Sequence, residues 1–149
     1  MKIDIHVHTK KTKSGDSAKR NIDSTKFSEI IKSTDVKILA ITNHNHFDLG
    51  QYQEFAKSTE GICQIWPGIE LDIIEEERRG HLLVIFSPQK SLDLNKKVRE
   101  LVGDTSEDAF CISINDTIDH FDSMEPIYIP HYYSKKPALS DDDIEKILS

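Results

Sequence analysis

His6 and His8 stand two residues apart near the start of the chain, in the run Asp4-Ile5-His6-Val7-His8-Thr9. In a β-strand alternate side chains share a face, so Asp4, His6 and His8 point one way and Ile3, Ile5 and Val7 the other. The two Cα atoms are then roughly 7 Å apart, and both imidazoles can converge on one cation without bending the backbone. An exposed polar strand face would read the same way, so the pair alone decides nothing. More ligand-capable side chains follow at Asn43-His44-Asn45-His46, Glu70, His81 and His131, with Asp16 in the polar loop after the first run. Imidazole and carboxylate donors together suit zinc, manganese or iron. No histidine neighbours Cys63 or Cys111, and neither a G-x-S-x-G elbow nor a glycine-rich phosphate loop occurs.

The surrounding pattern says what positions these groups. After the loop from Thr9 to Asn21, Ser24 or Thr25 can cap a helix burying Phe27, Ile30 and Ile31. Lys37 to Thr42 is an apolar run of the kind buried on both faces of a parallel sheet, and it ends at His44. Asp48 can cap a second helix with Tyr52, Phe55 and Ala56 on its inner face. Strand, helix, strand, helix is a βαβ series, in which chemistry gathers beyond the carboxyl ends of the strands. Five of the seven histidines stand at such ends, whereas His120 lies on an expected helix and reads as structural.

A third run, Ile62 to Ile65, continues through Pro67-Gly68 to Ile69-Glu70-Leu71-Asp72. Glu75 to Gly80 reads as a hairpin tip before a returning strand, Gly80 to Phe86. A turn centred near Glu77 and Arg78 would set His81 opposite Ile74, so register leaves open whether His81 and Glu70 share a site. Leu94, Val98, Leu101 and Val102 form a helical stripe ended by Gly103. Ala109 to Phe121 fits either period and is read as a helix capped by Thr105 or Ser106. Ile127 to Ile129 is a last strand running into Pro130-His131-Tyr132-Tyr133, and a helix from Ser140 buries Ile144, Ile147 and Leu148 behind a capping box with Asp143.

The 149 residues suit one domain, read as spanning 1–149. A net charge of −7 argues against a broad basic surface that grips nucleic acid, although bound divalent ions would invert the potential locally. The cysteines form no CxxC and read as reduced buried thiols. No run is long and apolar enough to span a membrane, and Met1-Lys2 leads directly into a strand. The expectation is a cytoplasmic protein without a signal peptide and without a membrane partner.

The order of the motifs is more specific than any one of them. Asp4-Ile5-His6-Val7-His8-Thr9, Ile41-Thr42-Asn43-His44-Asn45, Pro67-Gly68-Ile69-Glu70, Gly80-His81 and Ile129-Pro130-His131 together resemble the PHP (polymerase and histidinol phosphatase) superfamily over nearly the whole chain. The resemblance implies an α/β fold, a distorted (β/α) barrel with up to three divalent ions, manganese, zinc or iron. Carried over, His6 and His8 would share a first ion, Glu70 would bridge two, His81 and His131 would serve a second, and Asp16 and His44 a third. The family's Thr-Asp-His is here Thr42-Asn43-His44, an amide in place of a carboxylate that would orient the histidine. Its late Asp-x-His pair has no counterpart after His131. About five strands are too few to close a barrel, so the expected fold is partial and lacks the C-terminal part. The chain would be an N-terminal portion of the full fold or a shortened version, with a further domain or partner chain covering the open sheet edge.

The implied reaction is hydrolysis of a phosphate ester by hydroxide that the ions make available near neutral pH. The substrate would be a phosphorylated small molecule or a nucleic acid. Glu70 and His44 would serve the reacting centre, with His46 as a candidate proton donor. Arg78, Arg79 and the loop lysines could add positive charge but read chiefly as surface. The rival reading is a non-catalytic or degenerate PHP module of a larger ATPase- or polymerase-type protein, with the acidic stretch Ser140 to Ser149 as an exposed linker stub. Metal-dependent amide hydrolysis is a third option for which no late Asp or lysine can be assigned.

Overall fold

The computed structural model describes residues 1–131 and 138–149; the Tyr132-Tyr133 pair lies outside them. Five strands, β1 (Lys2–Val7), β2 (Val36–Ile41), β3 (Gln64–Glu75), β4 (Arg78–Ile85) and β5 (Ile127–Pro130), form one sheet in sequence order. The first three run parallel, and β4 is antiparallel to both of its neighbours. The result is the expected partial (β/α) barrel, a half-barrel with helices against one face. The helices are α1 (Ser24–Lys32), α2 (Leu49–Ser58), α3 (Ser91–Val102), α4 (Ile114–Phe121) and α5 (Asp141–Leu148).

Strand alternation divides the sheet into two chemistries. Leu39 and Ile41 of β2, Ile65, Ile69, Leu71 and Ile73 of β3, and Leu82 and Val84 of β4 pack on Phe27, Phe55, Leu94, Ile114 and Phe121 from the helices. Phe27 and Phe55 stack with ring centroids 4.4 Å apart, joining α1 to α2. Each such side chain contributes about 1.5–3 kcal/mol by leaving water. Residues of opposite parity, Glu70 and Asp72 of β3 and His81 of β4, face away from this core, above a small apolar cluster of Ala40, Leu83 and Ile85.

β3 is one continuous strand through Pro67-Gly68 and changes partner there. Gln64 to Pro67 pair in parallel with β2, and Gly68 to Glu75 pair antiparallel with β4. Proline is tolerated because its missing N–H falls at this change, while its carbonyl accepts from Phe86 N at 2.9 Å. Gly68 is required by space: a Cβ would lie 3.0 Å from the Val84 carbonyl oxygen and 3.2 Å from that of Ile41.

Several expectations need correction. The hairpin turns at Glu76-Glu77, with Glu76 at φ 55°, and His81 opposes Asp72, not Ile74. The difference is two residues, so His81 stays on the face of Glu70 and Asp72. In the ambiguous stretch both periods are used in turn: Ile112 forms a bridge beside Ile73, and the helix begins at Ile114 behind a Ser113 cap. Asp23 caps α1, and Ile30 is exposed because the core contacts fall on Phe27 and Ile31. Leu148 is likewise exposed. Cys111 is half-buried; Cys63 is buried, and both are free thiols. The acidic C-terminal stretch is a docked helix, with Arg78 donating to the buried Asp143 at 3.0 Å and Lys146 to Glu75 at 2.9 Å. Among the described residues no helix is long and apolar enough to cross a membrane.

Candidate metal centre

Glu70 is only 1% exposed and projects from the middle of β3. Nε2 of His6, His8 and His44 lie 3.1, 3.1 and 2.7 Å from its Oε2. Nδ1 of His81 and His131 lie 3.1 and 3.5 Å from its Oε1. Burial raises the Glu70 carboxyl, but the contacts from His44, His6, His8 and His81 outweigh it and hold the group well below the usual carboxylate range. Loss of water lowers His8, against the pull of Glu70. His81, contacted by Asp72 at Nε2 (3.2 Å) and by Glu70 at Nδ1, is pushed up to about 9 by those two carboxylates.

The backbone explains why these groups meet. Glu70 N donates to the Asn43 carbonyl at 3.0 Å and Asn45 N to the Glu70 carbonyl at 2.8 Å, which extends the parallel pairing past the end of β2 and sets His44 beside Glu70. Asn45 then turns the chain with φ 48°, a left-handed conformation that asparagine tolerates. Its side chain accepts from Asp72 N at 2.9 Å and donates to Asp72 Oδ2 and to the Glu107 carbonyl. Asn43 does not orient His44. Its buried Oδ1 accepts from the backbone N–H groups of Thr9 and Lys10, tying the loop after β1 to the end of β2.

Asp16 does face His44, with Oδ1 3.2 Å from Nδ1, on the side of the ring away from Glu70. That same oxygen accepts from Arg20 at 2.9 Å, and Oδ2 accepts from the N–H groups of Thr12 and Lys13, both at 3.1 Å. Burial would raise Asp16, but these backbone donors, with His44 and Arg20, hold it low. The carboxylate is held by its own loop while one oxygen faces His44.

Two groups have donor atoms close enough to share a cation: His6, Glu70 and His131, and His8, His44 and Glu70. This pairing differs from the one the resemblance implies, since His6 goes with His131 and His8 with His44. His81 stands beside both groups, between two carboxylates. The donor set fits divalent ions. His6 Nε2 and His8 Nε2 are 3.1 Å apart, and both turn toward one carboxylate oxygen that already has His44. Converging imidazole lone pairs are what a cation stabilises. Asp16 is in neither group, and both its oxygens already accept hydrogen bonds from Arg20 and from the N–H groups of Thr12 and Lys13.

His46 is not part of this cluster. Its Nδ1 lies 3.1 Å from Glu107 Oε1, beside a cleft of about 640 Å³ between α2 and α3. His120 donates from Nε2 to the Lys97 carbonyl at 2.8 Å, a structural contact. Arg78 serves α5, as described above. Sequence reasoning missed Asp72 and gave Lys13 no place of its own among the loop lysines. Asp72 had a usable signal, since it follows Glu70 by two and so shares its strand face.

No known family profile matches the chain, and no curated protein matches it. Among solved structures, a proposed metal-dependent phosphoesterase from Bifidobacterium adolescentis is similar over 99% of this chain and 73% of its own, with 10% identity and a TM-score of 0.59. The Bifidobacterium protein shares this fold. An amidohydrolase from Chromobacterium violaceum, solved with bound sulfate and no metal, matches 68% of this chain with 18% identity and a TM-score of 0.46. The chain spans 33% of that protein's length.

Proposed function

We propose that the chain is a metal-dependent phosphoesterase of PHP type that holds two divalent ions, manganese, zinc or iron, about Glu70. One observation carries this reading: a buried, ionised carboxylate with both oxygens ringed by five imidazoles from the ends of three strands and the turn after β2. The fold shared with the Bifidobacterium protein supports it. His6 and His131 would hold one ion, His8 and His44 the other, and Glu70 would bridge them. Bound there, the ions would supply hydroxide near neutral pH and neutralise charge on the phosphoryl oxygens. The protein's own part is orientation. Glu70 fixes the spacing of the histidines, and the charge of Asp16, 3.2 Å from His44 Nδ1, favours a proton on that nitrogen so that Nε2 is presented toward Glu70. His81, flanked by Asp72, is placed to hold a proton beside the centre.

The test is metal content of dialysed protein together with turnover of a chromogenic phosphomonoester and a labelled single-stranded oligonucleotide, with His8→Ala as control. Two ions per chain and turnover abolished in His8→Ala are expected. Turnover unchanged in His8→Ala would sink the site. Two ions with no turnover would favour the non-catalytic module.

A further inference from the structure

Lys13 is the one described lysine that reaches the cluster. It belongs to the polar loop after β1, and its Nζ lies 2.5 Å from Asp72 Oδ2. Asp72 Oδ1 is 3.2 Å from His81 Nε2, and His81 Nδ1 is 3.1 Å from Glu70 Oε1. The ammonium is thus two side chains away from the carboxylate at the heart of the centre. It retains 22% exposure, against 13% for Asp72, so it stands at the wet rim of the site.

The loop holds it there from both sides. Asp16 accepts the Lys13 N–H, and Asp108 accepts both the N–H and the hydroxyl of Ser14, at 2.9 and 3.0 Å. Asn45 fixes Asp72 from below at 3.2 Å. An ammonium has three donors, and the contact to Asp72 uses one. Two N–H groups are left for a ligand, on a charge whose position is already set. The other loop cations near the site are committed elsewhere, Arg20 to Asp16 and Lys10 to Asp48.

We propose that Lys13 is a substrate-binding residue, donating to a non-bridging oxygen of a terminal, dianionic phosphate, so that the substrate class is a phosphomonoester. The assignment rests on the phosphoesterase reading above. A monoester has three non-bridging oxygens, enough for two ions and one ammonium. A diester has two and one negative charge fewer, so Lys13 would share its acceptor with an ion and gain less from it. Asp72 keeps the ammonium aimed while no phosphate is bound.

The test uses the manganese-loaded protein with Lys13→Gln and Lys13→Arg. Calorimetry measures orthophosphate binding, and hydrolysis of p-nitrophenyl phosphate gives kcat and KM separately. Lys13→Gln should weaken orthophosphate and raise KM by about tenfold, the scale of one charge-assisted hydrogen bond, with kcat and ion content kept. Lys13→Arg should restore most of both. Unchanged orthophosphate affinity in Lys13→Gln overturns the proposal, because the lysine then only ties down its loop. Loss of ions in Lys13→Gln overturns it too, since the side chain would then act on the ligands through Asp72. An equal rise in KM for the diester bis-p-nitrophenyl phosphate removes the monoester assignment. If the unmodified protein hydrolyses no phosphoester, the phosphoesterase reading fails, while the calorimetric comparison still decides the role of Lys13.

Discussion

Glu70 remains ionised in a nearly dry site because imidazoles replace the water it has lost. A neutral isostere keeps the shape and removes the charge that two cations would share. Glu70→Gln should therefore lower metal content from two ions per chain to one or none, read by elemental analysis after dialysis. Asp16 acts one contact further out. Asp16→Asn should weaken ion affinity by about 10–100-fold, the usual cost of losing a carboxylate behind a ligating histidine. If a whole equivalent of metal vanishes instead, Asp16 is itself a ligand. Without metal, pH acts through His81 and the carboxylates in opposite directions. His81 is raised to about 9, so its contribution is complete below its ordinary value of 6.5 and is lost as pH climbs through 9. Glu70, Asp16 and Asp72 are lowered, so theirs is complete above their ordinary values and is lost as pH falls through their depressed ones. Chelator-stripped protein should melt lower at pH 9.5 than at pH 6.5, and this difference should shrink in His81→Asn.

The change of partner in β3 depends on one residue without a side chain. Gly68→Ala puts a methyl group against two backbone carbonyls that cannot move aside, and should cost about 1–3 kcal/mol, measured by denaturant unfolding. Which elements were legible in the sequence follows from which signals are local. Period and caps found β2, α2 behind Asp48, α3 ending at Gly103, and the Ser140–Asp143 capping box. The histidine cluster was legible because strand alternation fixes a face. What escaped was set by tertiary contact. The hairpin register depends on Glu76 adopting a positive φ, which its residue type does not advertise. The stretch before Ser113 is extended at Ile112, whose N donates to the Asp72 carbonyl and whose carbonyl accepts from Ile74 N, a long-range pairing that no local signal announces. Asn43 looked like a weakened orienter, yet its partners are the N–H groups of a loop 33 and 34 residues away.

At the scale of the molecule, β1 is an edge strand among the described residues, with β2 as its one sheet neighbour there, and Lys2 to Ile5 are exposed. Its inner end nevertheless carries His6, which reaches across the sheet to within 4.9 Å, ring to ring, of His131 beyond the opposite edge strand β5. A cation shared by His6, Glu70 and His131 would therefore work as a clasp between the two rims of an open cup. Amide hydrogen exchange along Lys2–Val7 should slow on adding manganese and speed up with chelator, more than exchange in β2 or β3. Stripped of metal, the cup would unzip from its outer rim and lay bare Val36 to Ile41, a sticky β-forming segment. For this chain, metal starvation would then show up as clumping in the test tube before it showed up as slow turnover.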